Sequence, residues 1–272
     1  MRELVDIANK AKTDAQRNTV GRVLLSMMDQ VACTPDRLLY KKGKKNLKIT
    51  SGVEILGKGA YGAVFYGCLD DKCHTRVAIK FSKKSLQSEC VIGARLDDLG
   101  VAPRVYHCGR CPGNGMYFMY YEYASHGALD DYLKKHILRS SDYKAIIYGV
   151  LKALKKIQKT YPTYKHYDLH TGNVLINAER GRKVVKLADF GLSEMKGVRS
   201  PHLKEAWRRS QPPDAYVFLH FLEADVENLG RKMPSKLQQF FDDVGTYPVN
   251  DTFIDQVRRH PFLKGARLAR LR

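Results

Sequence analysis

Four short segments hold residues whose types and spacing suit chemistry on phosphate: LGKGAYGAV at 56–64, VAIK at 77–80, HYDLHTGNV at 166–174 and ADFG at 188–191. In the first, Gly57, Gly59 and Gly62 with Val64 form G-x-G-x-x-G-x-V. Glycines there let backbone N–H groups come close to phosphate oxygens. A dinucleotide-binding reading needs this motif to open a helix. The β-favouring run AVFYG follows it instead, so a loop between two strands is expected. In the second segment Lys80 stands inside the apolar run RVAIKF, where a lysine either snorkels to solvent or serves an anion. The third sets an acid, Asp168, five residues before an amide, Asn173, and the fourth adds Asp189. Each segment alone is weak evidence. In this order they supply the separate parts that phosphoryl transfer requires.

So ordered, the segments resemble the protein kinase family, over roughly residues 50–265. The resemblance implies an α+β bilobal fold: an antiparallel five-stranded sheet with one helix, then a mainly helical, abbreviated second lobe. It implies ATP and Mg²⁺ as cofactors and protein substrates. On this match Gly57, Gly59, Ala60, Tyr61, Gly62, Val64 and Ala78 surround the nucleotide, and Lys80 holds its α- and β-phosphates. Glu89, the only carboxylate between Lys80 and Asp97, is the expected partner of Lys80. Tyr121 takes the gatekeeper position, and backbone groups of Glu122 and Ala124 hydrogen-bond adenine. Asp168 orients the attacking hydroxyl and accepts its proton, while Asn173 and Asp189 hold metal. Phe190 packs the metal loop, and Asp214 braces the backbone of the catalytic loop.

Departures from the family pattern refine these expectations. Gly93 follows Glu89 by one turn, where an apolar side chain is usual. Tyr167 replaces the arginine that reads a phosphorylated activation loop, so turnover is expected to be independent of phosphorylation at Ser193, Ser200 or Ser210. His170, also assigned to catalysis, replaces a lysine, and its partial charge at neutral pH would make charge stabilisation pH-dependent. The HxDLHxGN loop also resembles small-molecule phosphotransferases of the aminoglycoside and choline kinase type. A catalytically weak pseudokinase or scaffold is the third reading. The segment 192–213 lacks Ala-Pro-Glu, and His260-Pro261-Phe262 resembles the family's closing segment.

The elements that must position these residues follow from periodicity. Residues 1–47 read as a helical extension and a basic loop, 48–123 as the first lobe and 124–272 as the second. Short β-like runs occupy the first lobe, with one helix over roughly Ser85–Leu96. Helices are expected over Asp130–His136, over Ser141–Lys159 and from the PPDAYVFLHFL run at 212–222, with a basic hairpin at 177–183. Of 272 residues, 44% are hydrophobic and 10% aromatic, which excludes a disordered chain. With 47 Lys and Arg against 28 Asp and Glu, the net charge of +19 favours acidic proteins or nucleic acid as partners. No apolar run is long enough to span a membrane. The start of the chain lacks a signal-peptide core, so an intracellular, cytoplasmic or nuclear location is expected, with six cysteines as free thiols. Cys68-x4-Cys73 and Cys108-x2-Cys111 have zinc-like spacing, but the kinase resemblance implies that the two pairs lie at hairpin turns on opposite ends of the sheet. The small size and trimmed second lobe resemble kinases encoded by large DNA viruses, for which host cell or virion would be the location.

Overall fold

The computed structural model describes residues 55–59, 62–68, 73–111, 115–179 and 182–266. The helical extension and basic loop expected over residues 1–47 lie outside the described residues. The chain forms two compact units. Of the described residues, the first unit takes those up to Cys90 together with Arg104–Tyr123, and the second takes Val91–Pro103 and those from Ala124 onward.

In the first unit, β1 (Ile55–Gly59), β2 (Gly62–Cys68), β3 (Arg76–Ser82), β4 (Val105–Arg110) and β5 (Tyr117–Glu122) form one sheet in the order β1-β2-β3-β5-β4. Every neighbouring pair is antiparallel. Alternation along a strand sorts side chains between the two faces. Val77, Ile79 and Phe81 of β3 join Phe65, Phe118 and Tyr120 in an apolar cluster. Ala78 and Lys80 therefore project to the other face. Helix α1 (Gln87–Asp98) begins in this unit, and the division between units falls inside it, after Cys90.

The cysteines overturn the expectation of free thiols. Cys68 and Cys73 form a disulfide across the β2–β3 connection, and Cys90 of α1 is bonded to Cys108 of β4. Cys111 is disulfide-bonded as well, and no free cysteine occurs among the described residues. Their Cα atoms lie 4.9 and 6.4 Å apart in the first two pairs, distances one disulfide spans. Which cysteines meet is decided by strand register, not by the habits of a compartment. Cys68 lies level with Arg76 at one end of the sheet and Arg110 with Tyr117 at the other, so the two zinc-like pairs do sit at opposite ends.

The second unit is mainly helical: α2 (Leu129–Lys135), α3 (Ser140–Thr160), α4 (Glu205–Ser210), α5 (Asp214–Asn228), α6 (Ser235–Gly245) and α7 (Phe253–Arg259). Two hairpins interrupt the helices, β6 (Val174–Glu179) with β7 (Arg182–Leu187), and β8 (Glu194–Met195) with β9 (Val198–Arg199). The central α3 buries Ile146, Ile147, Val150, Leu151, Leu154 and Ile157, a stripe at helical spacing. Its start is fixed by the Asp142 carboxylate, which accepts the Arg139 N–H at 3.0 Å. No helix among the described residues is long and apolar enough to cross a membrane.

Candidate active site

The first unit holds the candidate phosphate-binding residues. Lys80 donates from Nζ to both oxygens of Glu89, at 2.8 and 2.9 Å. Their side chains are only 6% and 5% exposed, so this ion pair stands out of water. Val64 of β2 lies level with Lys80, and Gly57 of β1 level with Val64. Gly62 has a left-handed φ of 154°, and a Cβ there would collide with the Phe81 carbonyl, so no other residue fits. Ala78 is buried between Tyr66 and Tyr121 across the strands. Ala60 and Tyr61 lie outside the described residues. At the end of the sheet, the Glu122 N–H donates to the Arg104 carbonyl at 2.8 Å. Ala124, where the second unit resumes, is buried.

The second unit holds the candidate catalytic and metal residues, on loops that one helix supports. Asp214, at the start of α5, accepts the backbone N–H of His166 at 2.9 Å and of Tyr167 at 3.0 Å. This is the brace expected from the resemblance. Further along α5, the Phe221 ring lies 5.8 Å from that of His170, and Asp225 accepts a hydrogen bond from the Thr171 hydroxyl. Steps of 7 and 11 residues return to within about 20° of the starting direction on a helix. One face of α5 therefore meets the loop at residues 166, 167, 170 and 171. In the sequence the only sign of the Asp225 contact is its helical spacing from Asp214.

Within the loop, Asn173 donates from Nδ2 to the Asp168 carbonyl at 2.8 Å. That commits its NH₂ end. The Ala188 N–H donates to the Asn173 carbonyl at 2.9 Å, and His166 Nε2 donates to the Ala188 carbonyl at 3.1 Å. The catalytic and metal loops are thus fastened together beside Asp168 and Asp189. Phe190 is buried in the core, with its ring 5.4 Å from that of His166. Tyr167 and Asp189 have left-handed φ values of 65° and 56°. A non-glycine residue there costs about 1–3 kcal/mol and is held by its surroundings. His170 accepts the Gly172 N–H at Nδ1, 3.1 Å away, so its remaining N–H is at Nε2.

Tyr167 is buried, and burial first, then the Glu194 charge, pushes its hydroxyl above the ordinary value. Around it runs a network of opposite charges. Glu194 accepts from Arg208 Nε at 3.1 and 3.0 Å, and Glu205 accepts from Arg199 at 2.7 Å and from Arg208 and Arg209 at 3.2 Å each. Two carboxylates and three guanidiniums hold the segment after the metal loop. Two of the serines considered there are structural. Ser193 donates to the His166 carbonyl at 3.1 Å and Ser200 to that of Gly191, and both are buried.

A family model described as the protein kinase domain matches residues 51–206, more than half of the chain. The chain belongs to the protein kinase family. Among its relatives, chitin elicitor receptor kinase 1 of Physcomitrium patens is 32% identical over 156 residues, 52% of this chain and 22% of the relative. The L-type lectin-domain containing receptor kinase SIT1 of Oryza sativa subsp. japonica is 26% identical over 218 residues, 71% of this chain and 32% of the relative. Serine/threonine-protein kinase tousled-like 2 of Mus musculus is 39% identical over 75 residues, 27% of this chain and 10% of the relative. The chain spans about a tenth to a third of the length of these relatives.

Proposed function

We propose that the chain is an ATP- and Mg²⁺-dependent protein kinase acting on serine and threonine hydroxyls of protein substrates. The observation that carries this reading is the buried Lys80–Glu89 pair. Its charges gain little stability over an apolar pair of similar volume, so their presence in an apolar sheet calls for a task. Lys80, oriented by Glu89, offers its ammonium to the α- and β-phosphate oxygens, and the glycines of β1 and β2 offer backbone N–H groups. Asn173 Oδ1 and the Asp189 carboxylate are hard oxygen donors that suit Mg²⁺ and fit the metal. When bound, the ion neutralises charge on the transferred group. Asp168 accepts the proton of the substrate hydroxyl as its oxygen bonds to the γ-phosphorus and the bridging oxygen leaves with ADP.

His170, with Nδ1 occupied, has Nε2–H to donate toward a phosphoryl oxygen. The carboxylate–guanidinium network beside Tyr167 supports activity that needs no phosphate on the following segment. The serine/threonine preference is supported by the name of the tousled-like relative. The net charge of +19 supports acidic protein substrates.

The test is transfer of labelled γ-phosphate to mixed acidic and basic proteins, followed by phosphoamino-acid analysis. Asp168→Asn should lower kcat by about 10²–10⁴-fold while leaving ATP affinity near that of the parent. Undiminished turnover would end the mechanism, and labelled phosphotyrosine would end the assigned specificity. Labelling of aminoglycosides or choline with no labelled protein would favour the small-molecule reading.

A further inference from the structure

The Cys90–Cys108 disulfide lies in register with the Lys80–Glu89 pair. Cys108 of β4 is level with Met119 of β5, and Met119 is level with Lys80 of β3. In-register neighbours of an antiparallel sheet project from the same face. The first turn of α1 meets this one row twice, through consecutive residues. Glu89 binds Lys80 by charge, and Cys90 binds Cys108 covalently. The two anchor strands are separated by β5, hence by about 10 Å. One tie fixes a point about which the helix can swivel; two ties on different strands also fix its rotation. The Cys68–Cys73 disulfide closes only the β2–β3 connection, and Cys68 is level with Arg76, four residues from Lys80 along β3.

We propose that Cys90 and Cys108 are positioning residues for the nucleotide site. Their disulfide holds Glu89 on Lys80, and its reduction loosens that pairing and weakens ATP binding. The inference rests on the reading of Lys80 and Glu89 as the phosphate-binding pair. The reductant is a dithiol. One of its thiolates attacks a sulfur of the disulfide to give a mixed disulfide and one free cysteine, and its second thiolate then displaces the other cysteine. Two electrons and two protons end on Cys90 and Cys108, and the reductant leaves as a cyclic disulfide.

The experiment measures KM for ATP and kcat with and without dithiothreitol, using mass spectrometry to establish which disulfides have opened. Reduction should raise KM about tenfold, a typical coupling factor, with a smaller change in kcat. Cys68→Ser/Cys73→Ser and Cys111→Ser variants should respond like the parent. Cys90→Ser/Cys108→Ser should show the raised KM from the start and no response. A parent whose KM is unchanged with the Cys90–Cys108 bond shown to be open overturns the proposal, as does a drop in melting temperature with KM unmoved. Hydrogen exchange of the α1 amides separates this idea from the kinase reading. If the parent transfers no phosphate, that reading fails. The staple then still stands if reduction speeds exchange near Glu89, and falls if exchange is unchanged. Because the parent alone supplies the redox comparison, poor folding of a cysteine variant leaves the test intact.

Discussion

The Glu89 carboxylate takes two hydrogen bonds from one ammonium in a setting that water hardly reaches. Truncating one partner strands the other, and a lone buried charge is far more unfavourable than the pair. Glu89→Ala should therefore lower the unfolding free energy by about 3–5 kcal/mol in denaturant titrations. Replacing both partners by apolar residues, Lys80→Met with Glu89→Leu, should restore most of that stability and none of the phosphoryl transfer. Transfer by the double variant would mean that the pair has no chemical task. At this scale the sequence was a good guide where chemistry restricts residue type. Lys80 stands out by its place in an apolar run, Glu89 as the lone carboxylate near it and Asp214 through the family resemblance; the structure pairs Lys80 with Glu89 and sets Asp214 on the His166 and Tyr167 N–H groups. The disulfides were not legible, because Cys90 and Cys108 meet only once β4 has taken its register beside β5.

Helix α5 and the segment before it show how elements carry the loops. Asp214→Ala would leave the His166 and Tyr167 N–H groups without their acceptor and free the strained φ of Tyr167. We expect kcat to fall by at least tenfold with little change in ATP affinity, which nucleotide titration checks alongside steady-state rates. In the segment before α5, Ser210 is exposed and donates to the Trp207 carbonyl. Ser210→Ala should leave turnover unchanged, whereas Glu194→Gln should reduce it several-fold by removing one of the two carboxylates that hold Arg208. The opposite ranking in the same assay would point to control by phosphorylation. Ser193 and Ser200 are unsuitable for that test, since removing either hydroxyl deletes a buried hydrogen bond. The periodic helices and strands were readable in advance to within a few residues, as with α1 at Gln87–Asp98 against the expected Ser85–Leu96. The Tyr167 network was not, because it joins residues 27 and 41 positions away and no local pattern announces it.

Across the whole molecule, charge is the property that solution conditions adjust. The Arg199 and Arg209 guanidiniums hold the Glu205 carboxyl down at about 2, below its ordinary 4.5. A carboxylate depressed on folding adds stability above its unfolded value, and that contribution fades as pH falls through the folded one. Melting curves of the parent and Glu205→Gln should differ by a constant amount down to about pH 4.5, then converge by about pH 2. Because Glu205 is exposed, added salt should shrink the difference throughout. A gap that persists at pH 2 would assign the effect to side-chain shape.

The spacing along α5 has a consequence for how this chain can vary in length. Asp214, Phe221 and Asp225 act like graduations on a ruler, each set against its own stretch of the loop. Deleting a single residue between the last two, such as Ala224, would turn everything beyond by about 100° and carry Asp225 away from Thr171. Between 214 and 225 the residue count of the helix is thus a fixed dimension of the machine.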